Sequence, residues 1–246
     1  MREIDRAAAA ALLDYLYTSV VPIVAEGNTN SGVEGSGLLF ARDGKHFVIT
    51  ANHVAESVHS HPTQIGVPLA PSRQGAVWTL GKGKLGLTDT DGPDVAAFRI
   101  DDPDVISRLQ EGGRRFVSDA EVLGQGAWSK AIVFGWPQAE TTFDGASIVA
   151  RPVHLELERM SPTAGAASTD IFLAWPDKKL PKLQGISGSP IWGVSQVEAG
   201  TIWHPSKQVL LVGVQHRVLE GSYIRGTAWE VVERVLGQLG APAQEV

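Results

Sequence analysis

Residues 46–54 read His46-Phe47-Val48-Ile49-Thr50-Ala51-Asn52-His53-Val54. An apolar run ends in a short Thr-Ala-Asn turn, and a histidine follows at once, so His53 is presented at a strand end and not in a core. Outward from this stretch, beyond residue 18, the same grammar repeats: short β-branched runs separated by glycine-containing turns, the pattern of an antiparallel barrel or sandwich. The runs are Val20–Ala25, Gly37–Ala41, His46–Thr50, Gln64–Pro68, Ala76–Leu80, Asp94–Ile100, Lys130–Gly135, Ser147–Leu157, Asp170–Ala174, Ser189–Gly193, Gln208–His216 and Ser222–Thr227. These are too many for one small barrel, yet 246 residues is within the reach of a single all-β domain. The fold class expected is all-β.

Composition narrows the function. Twenty-seven glycines and fourteen prolines, without a Gly-X-Y period, mean many turns. A formal charge of −6 repels a phosphate backbone, which argues against a nucleic-acid partner. The absence of cysteine removes disulfides, thiolate catalysis and every cysteine-ligated metal site. No cofactor and no metal are expected. His59-Ser60-His61 lacks further ligands at metal spacing and reads as a solvated loop, and Gly81–Lys84 reads as a hairpin turn.

At the N-terminus, Ile4, Ala8, Leu12, Tyr15 and Leu16 recur at helical spacing. Acidic residues stand where a basic leader would be, and charges interrupt any membrane-length run, so a cytoplasmic protein without membrane insertion is expected. The helix is expected to pack on the outside of a barrel, away from any cleft. Trp229, Val232, Val235, Leu236 and Leu239 predict a closing helix over 228–239, with Thr227 as its N-cap. Asp101–Arg115, charged and ending near a Gly-Gly pair, reads as a surface connection between two halves. The expected organisation is one domain in four parts: an N-terminal helix (1–18), a first barrel with the connection (19–115), a second barrel (116–227), and a closing helix with tail (228–246).

Three places carry chemistry. His53 alone reads as a surface or packing histidine. Asp94, in Asp91-Gly-Pro-Asp94-Val-Ala-Ala-Phe98, alone reads as a turn residue or cap. Ser187, in Gly185-Ile186-Ser187-Gly188-Ser189-Pro190, lies between glycines that let two amides converge on one oxyanion. Together they supply a nucleophile, a base and a carboxylate to hold the base's tautomer. The order His, Asp, Ser is that of chymotrypsin, and Ser189 stands where a hydrolase elbow needs glycine.

Thr50-Ala-Asn-His53, Asp94-Val-Ala and Gly185-Ile-Ser187-Gly-Ser-Pro190 resemble the three signature blocks of chymotrypsin/trypsin-like serine proteases. The resemblance spans Val20 to Thr227 and implies two antiparallel Greek-key β-barrels with the active site between them. It implies a serine endopeptidase with catalytic His53, Asp94 and Ser187 and an oxyanion hole from the backbone N–H groups of Gly185 and Ser187. Ile186 stands where secreted trypsins carry an aspartate and cysteines are absent, so the chain is more similar to bacterial intracellular or high-temperature-requirement-type members than to digestive enzymes, which implies a regulatory role and a protein or peptide substrate. In the family, the segment before the nucleophile and the strand Val212–Arg217 wall the primary pocket, which nominates Gln184, Gln215 and His216 as substrate-binding. His216 is one residue late for glutamate- or glutamine-preferring relatives, and a one-residue shift turns a side chain to the opposite face. Trp136 and Trp192 fall near the predicted cleft. The alternative is a catalytically silent or latent protease-like fold that binds a partner protein, including a regulatory one.

Overall fold

A computed structural model describes residues 3–26, 32–60, 64–68, 77–79, 84–88, 92–123, 128–144, 147–176, 180–194 and 204–240. Among these, Leu38-Leu39-Phe40 on strand β2 (Gly32–Arg42) shows why the strands read as near-continuous apolar runs. Alternate residues on a strand face opposite sides, and here both sides are cores. Leu39 joins Val21, Ile23, Val48 and Phe98 in one cluster, while Leu38 and Phe40 join Phe47 and Ile49 in another. The fold is mostly β, with two largely antiparallel sheets and helices at both ends.

The first sheet contains β1 (Val20–Glu26), β2, β3 (Lys45–Thr50), β4 (Gln64–Pro68), β5 (Val77–Thr79), β6 (Lys84–Leu87) and β7 (Ala96–Ile100), in the order β5-β4-β1-β2-β3-β7-β6. Strand β8 (Val117–Ser118) pairs in parallel with β2, so the first sheet reaches past the expected boundary at residue 115. The second sheet runs β12 (Val153–Glu158), β9 (Lys130–Gly135), β14 (Pro190–Val194), β15 (Val209–Leu219), β16 (Tyr223–Ala228), β13 (Asp170–Ala174). Its end strands meet: Arg159 pairs with Leu173, and the Met160 amide donates to the Phe172 carbonyl at 3.0 Å. A hairpin of β10 (Thr141–Asp144) and β11 (Ser147–Ala150) stands apart. The long strand expected over 147–157 is thus two strands, broken at Arg151-Pro152, where proline has no N–H for a ladder.

Three hydrophobic clusters follow from this arrangement, one within each sheet and one between them. The shared cluster unites Leu38 and Phe40 with Phe134, Trp192 and Leu211, and with Leu16 and Trp229 from the terminal helices. Helix α1 (Glu3–Ser19) therefore does not pack on one sheet alone. Its Tyr17 ring lies 5.4 Å from Trp136 and its Tyr15 ring 6.2 Å from Trp192. Both tryptophans are buried, and the Trp136 backbone N–H donates to the Ser36 hydroxyl at 2.9 Å. The closing helix α4 (Trp229–Gly240) returns to the first sheet. There Arg99 and Lys45 donate to the carbonyls of Leu239 and Gly240 at 2.8 and 3.0 Å, cations at the negative end of the helix. Thr227 is not its cap but a buried residue of β16.

Two further helices replace expected turns. Asn52–Ser60 is helix α2, so His53 stands in its first turn and His59 near its end, while His61 lies outside the described residues. Pro103–Glu111 is helix α3, capped by the Asp102 side chain, with Val105 and Leu109 buried; the connection is packed, not merely solvated. Among the described residues, no helix is long and apolar enough to cross a membrane.

Candidate active site

Strand register sets the site. In the antiparallel pair β3–β7, Thr50 faces Ala96, so the residue three past Thr50 and the residue two before Ala96 emerge at the same end. These are His53 and Asp94. The first N–H groups of a helix have no partner inside it, and Asp94 supplies one from outside. Its Oδ1 accepts from the His53 backbone N–H at 3.0 Å, and its Oδ2 lies 2.7 Å from His53 Nδ1. One carboxylate thus grips both main chain and ring. The proton belongs on Nδ1, and Nε2 is left as an acceptor. Burial works to raise the Asp94 pKa, but the hydrogen bonds and charge of His53 outweigh it, and the carboxyl is held below its ordinary value.

Ser187 arrives from the second sheet on the segment before β14. Gly188 has φ +90°, and a side chain there would collide with the Ser36 carbonyl and the Thr50 hydroxyl. The serine loop therefore lies directly against the end of β3, three residues before His53. A methyl on Gly35 would likewise meet both Val54 of α2 and the Ser187 carbonyl, at 2.7 and 2.9 Å.

The amides of this loop can be accounted for one by one. Ile186 N–H donates to Leu183 at 3.1 Å, Gly188 N–H to Gln215 at 2.7 Å, and Ser189 N–H to Ile186 at 2.9 Å. Among the described residues, Gly185 and Ser187 donate to none. The carbonyl of the Gln184–Gly185 peptide accepts from Gln138 N–H at 2.7 Å. A trans peptide points its N–H opposite to its carbonyl, so the Gly185 N–H is turned away from Gln138. Gly185 holds φ +96°, which glycine alone adopts without strain.

Sequence comparison gives no family. No protein-family model matches the chain, and no curated protein matches it. Fold comparison does find likeness. A solved structure from work on aromatic interactions in the coupled folding and binding of the intrinsically disordered Sesbania mosaic virus VPg protein is similar, with a TM-score of 0.54 and 16% identity. The match covers 93% of this chain and 92% of that one. At that identity the likeness speaks for the fold alone, and a shared fold does not specify a chemistry.

The expected substrate-contacting residues part ways. Gln184 is exposed on the loop, whereas Gln215 is fully buried. His216 is the extra residue of a bulge: Gln215 faces Gly226 and Arg217 faces Arg225, so His216 has no partner across the ladder. The bulge re-aims its ring toward Asp94, with Nδ1 3.6 Å from Oδ2 and the side chain only 9% exposed. Burial lowers its pKa to about 4; the pull of Asp94 in the other direction is weaker. A cleft of about 270 Å³ opens beside this pair, lined by Pro93, Asp94, His216, Arg217, Arg225 and Thr227. Asp170 holds Arg225 there through two contacts, at 2.7 and 2.9 Å. Sequence reading missed Ser36, Asp170 and Arg225; only the flanking Gly35 and Gly37 hinted at a close approach around Ser36.

Proposed function

We propose that the chain is a serine endopeptidase with two Greek-key barrels of the chymotrypsin kind, using His53, Asp94 and Ser187 on a protein or peptide substrate. The observation that carries this reading is the double grip of Asp94 on His53, main chain and ring, beside a serine loop whose unpaired amides are those of Gly185 and Ser187. The meeting of the end strands of the second sheet supports a barrel there.

In the reaction, Ser187 Oγ attacks the substrate carbonyl and passes its proton to His53 Nε2. Asp94 keeps Nδ1 protonated and stabilises the imidazolium that forms. The carbonyl oxygen, now negative, is received by the Gly185 and Ser187 amides. His53 then protonates the leaving amine, and water activated by the same base releases the acyl group. Wild-type protein should cleave members of a proteome-derived peptide library, and Ser187→Ala protein should cleave none. Identical cleavage by both would overturn the proposal.

A second reading has its own support. Among the described residues, the Ser187 hydroxyl donates to the His216 carbonyl, at 3.5 Å, and not to His53. That rotamer fits a latent enzyme or a silent module that binds a partner, although catalytic hydrogen bonds often tighten only once substrate is bound. A protein that binds a partner yet ignores the peptide library with and without it would favour the silent module.

A further inference from the structure

Ser36 is fully buried on β2 of the first sheet, yet three of its hydrogen bonds run to the segments of the second. Its backbone N–H donates to the Ser187 carbonyl at 2.7 Å. Its hydroxyl donates to the Gly185 carbonyl at 3.1 Å and accepts from the Trp136 N–H at 2.9 Å. Its own carbonyl accepts from the Thr50 hydroxyl at 2.8 Å, which ties the set to the strand leading to His53. One residue therefore holds the carbonyls of both residues whose amides are unpaired.

We propose that Ser36 is the positioning residue of the oxyanion site, its hydroxyl fixing the peptide that joins the two donating amides. The inference rests on the acyl-transfer reading above and deepens it. The Gly185–Ile186 peptide lies between the peptide carrying the Gly185 N–H and the one carrying the Ser187 N–H. Rotation of that middle unit tilts both donors, and Gly185, lacking Cβ, offers little resistance to it. The Ser36 hydroxyl opposes the rotation. Without it, the Gly185 carbonyl and the Trp136 N–H would be buried without partners, a penalty that turning the peptide relieves. Donors acting on a developing charge are sensitive to such tilts, because they work only when already aimed.

The test compares two covalent reactions in the full chain. A fluorophosphonate phosphonylates Ser187 with loss of fluoride and places an oxygen in the oxyanion site. Iodoacetamide alkylates a histidine nitrogen with loss of iodide and needs no such site; His53 is open to it, with a side chain 48% exposed. Ser36→Ala is expected to slow fluorophosphonate labelling of Ser187 at least tenfold, with His53 alkylation within twofold of wild type. Thr50→Val, which keeps the side-chain shape but frees the Ser36 carbonyl, is expected to give a smaller loss of the same selective kind, and carries the test should Ser36→Ala fail to fold. Unchanged fluorophosphonate labelling in the folded variants overturns the proposal, as does a parallel fall in both reactions, which would mark Ser36 as structural only. Wild-type protein that resists the fluorophosphonate refutes the acyl-transfer reading itself, and the role of Ser36 falls with it.

Discussion

Replacing His216 by Asn separates an electrostatic contribution to stability from a packing one. The imidazole is buried against Asp94 and Arg225, and its pKa falls from 6.5 to about 4. In the unfolded chain His216 takes up a proton below pH 6.5, whereas in the folded chain it resists until about pH 4. Over that window the unfolded state binds more protons, so stability falls as pH falls and levels off only below the folded pKa. With these two values, the single-site linkage relation gives a loss on the order of 2 kcal/mol between pH 7 and pH 4.5. Urea unfolding of wild type and His216→Asn at both pH values reads it directly. The variant should be weaker at pH 7, through lost packing, yet lose less than wild type on acidification, by an amount on the order of 2 kcal/mol. Equal losses in the two proteins would refute the assignment of a neutral, burial-depressed His216.

Other substitutions test the remaining joints. Leu16→Ala removes a fully buried side chain shared by α1 and both sheets, and should cost about 2–5 kcal/mol in chemical denaturation while Ser187 labelling stays within twofold. Gly188→Ala combines an unfavourable φ of +90° with collisions at Ser36 and Thr50. It should lower the melting temperature and slow labelling more than tenfold, whereas near-normal values would contradict the close approach of serine loop and β3. Asp94→Asn leaves the shape but lets Nδ1 lose its proton, and ester hydrolysis should fall by a factor on the order of 10⁴ at neutral pH.

Most strands and both terminal helices were legible because their apolar positions answer to one partner at a time, within a sheet or on one helix face. The candidate pair Asp94 and His53 was legible only through its combination with Ser187 and the family resemblance, and the β3–β7 register brings the two strand ends together. Helix α2 was hidden: its opening Asn52-His53 follows an apolar strand without a break, and Thr-Ala-Asn reads as a turn until the helix closes. Helix α3 carried its own signal, Asp102 before Pro103, but dense charge masked a short apolar face of Val105, Ile106 and Leu109. The direction of His216 could not be read at all, because a bulge is a property of two strands, and one extra residue reverses the face inferred from alternation. Ser36 escaped for a related reason: its partners Trp136, Gly185 and Ser187 are brought to it only when the two sheets dock.

On the proposed reading, Ser187 is a nucleophile activated by His53 and Asp94. Intact-mass analysis and peptide mapping after exposure to a fluorophosphonate test it most directly. One adduct per chain is expected, on Ser187, absent from Ser187→Ala and strongly slowed in His53→Ala. An unmodified wild-type chain, or an adduct that persists in Ser187→Ala, would rule out Ser187 as the nucleophile.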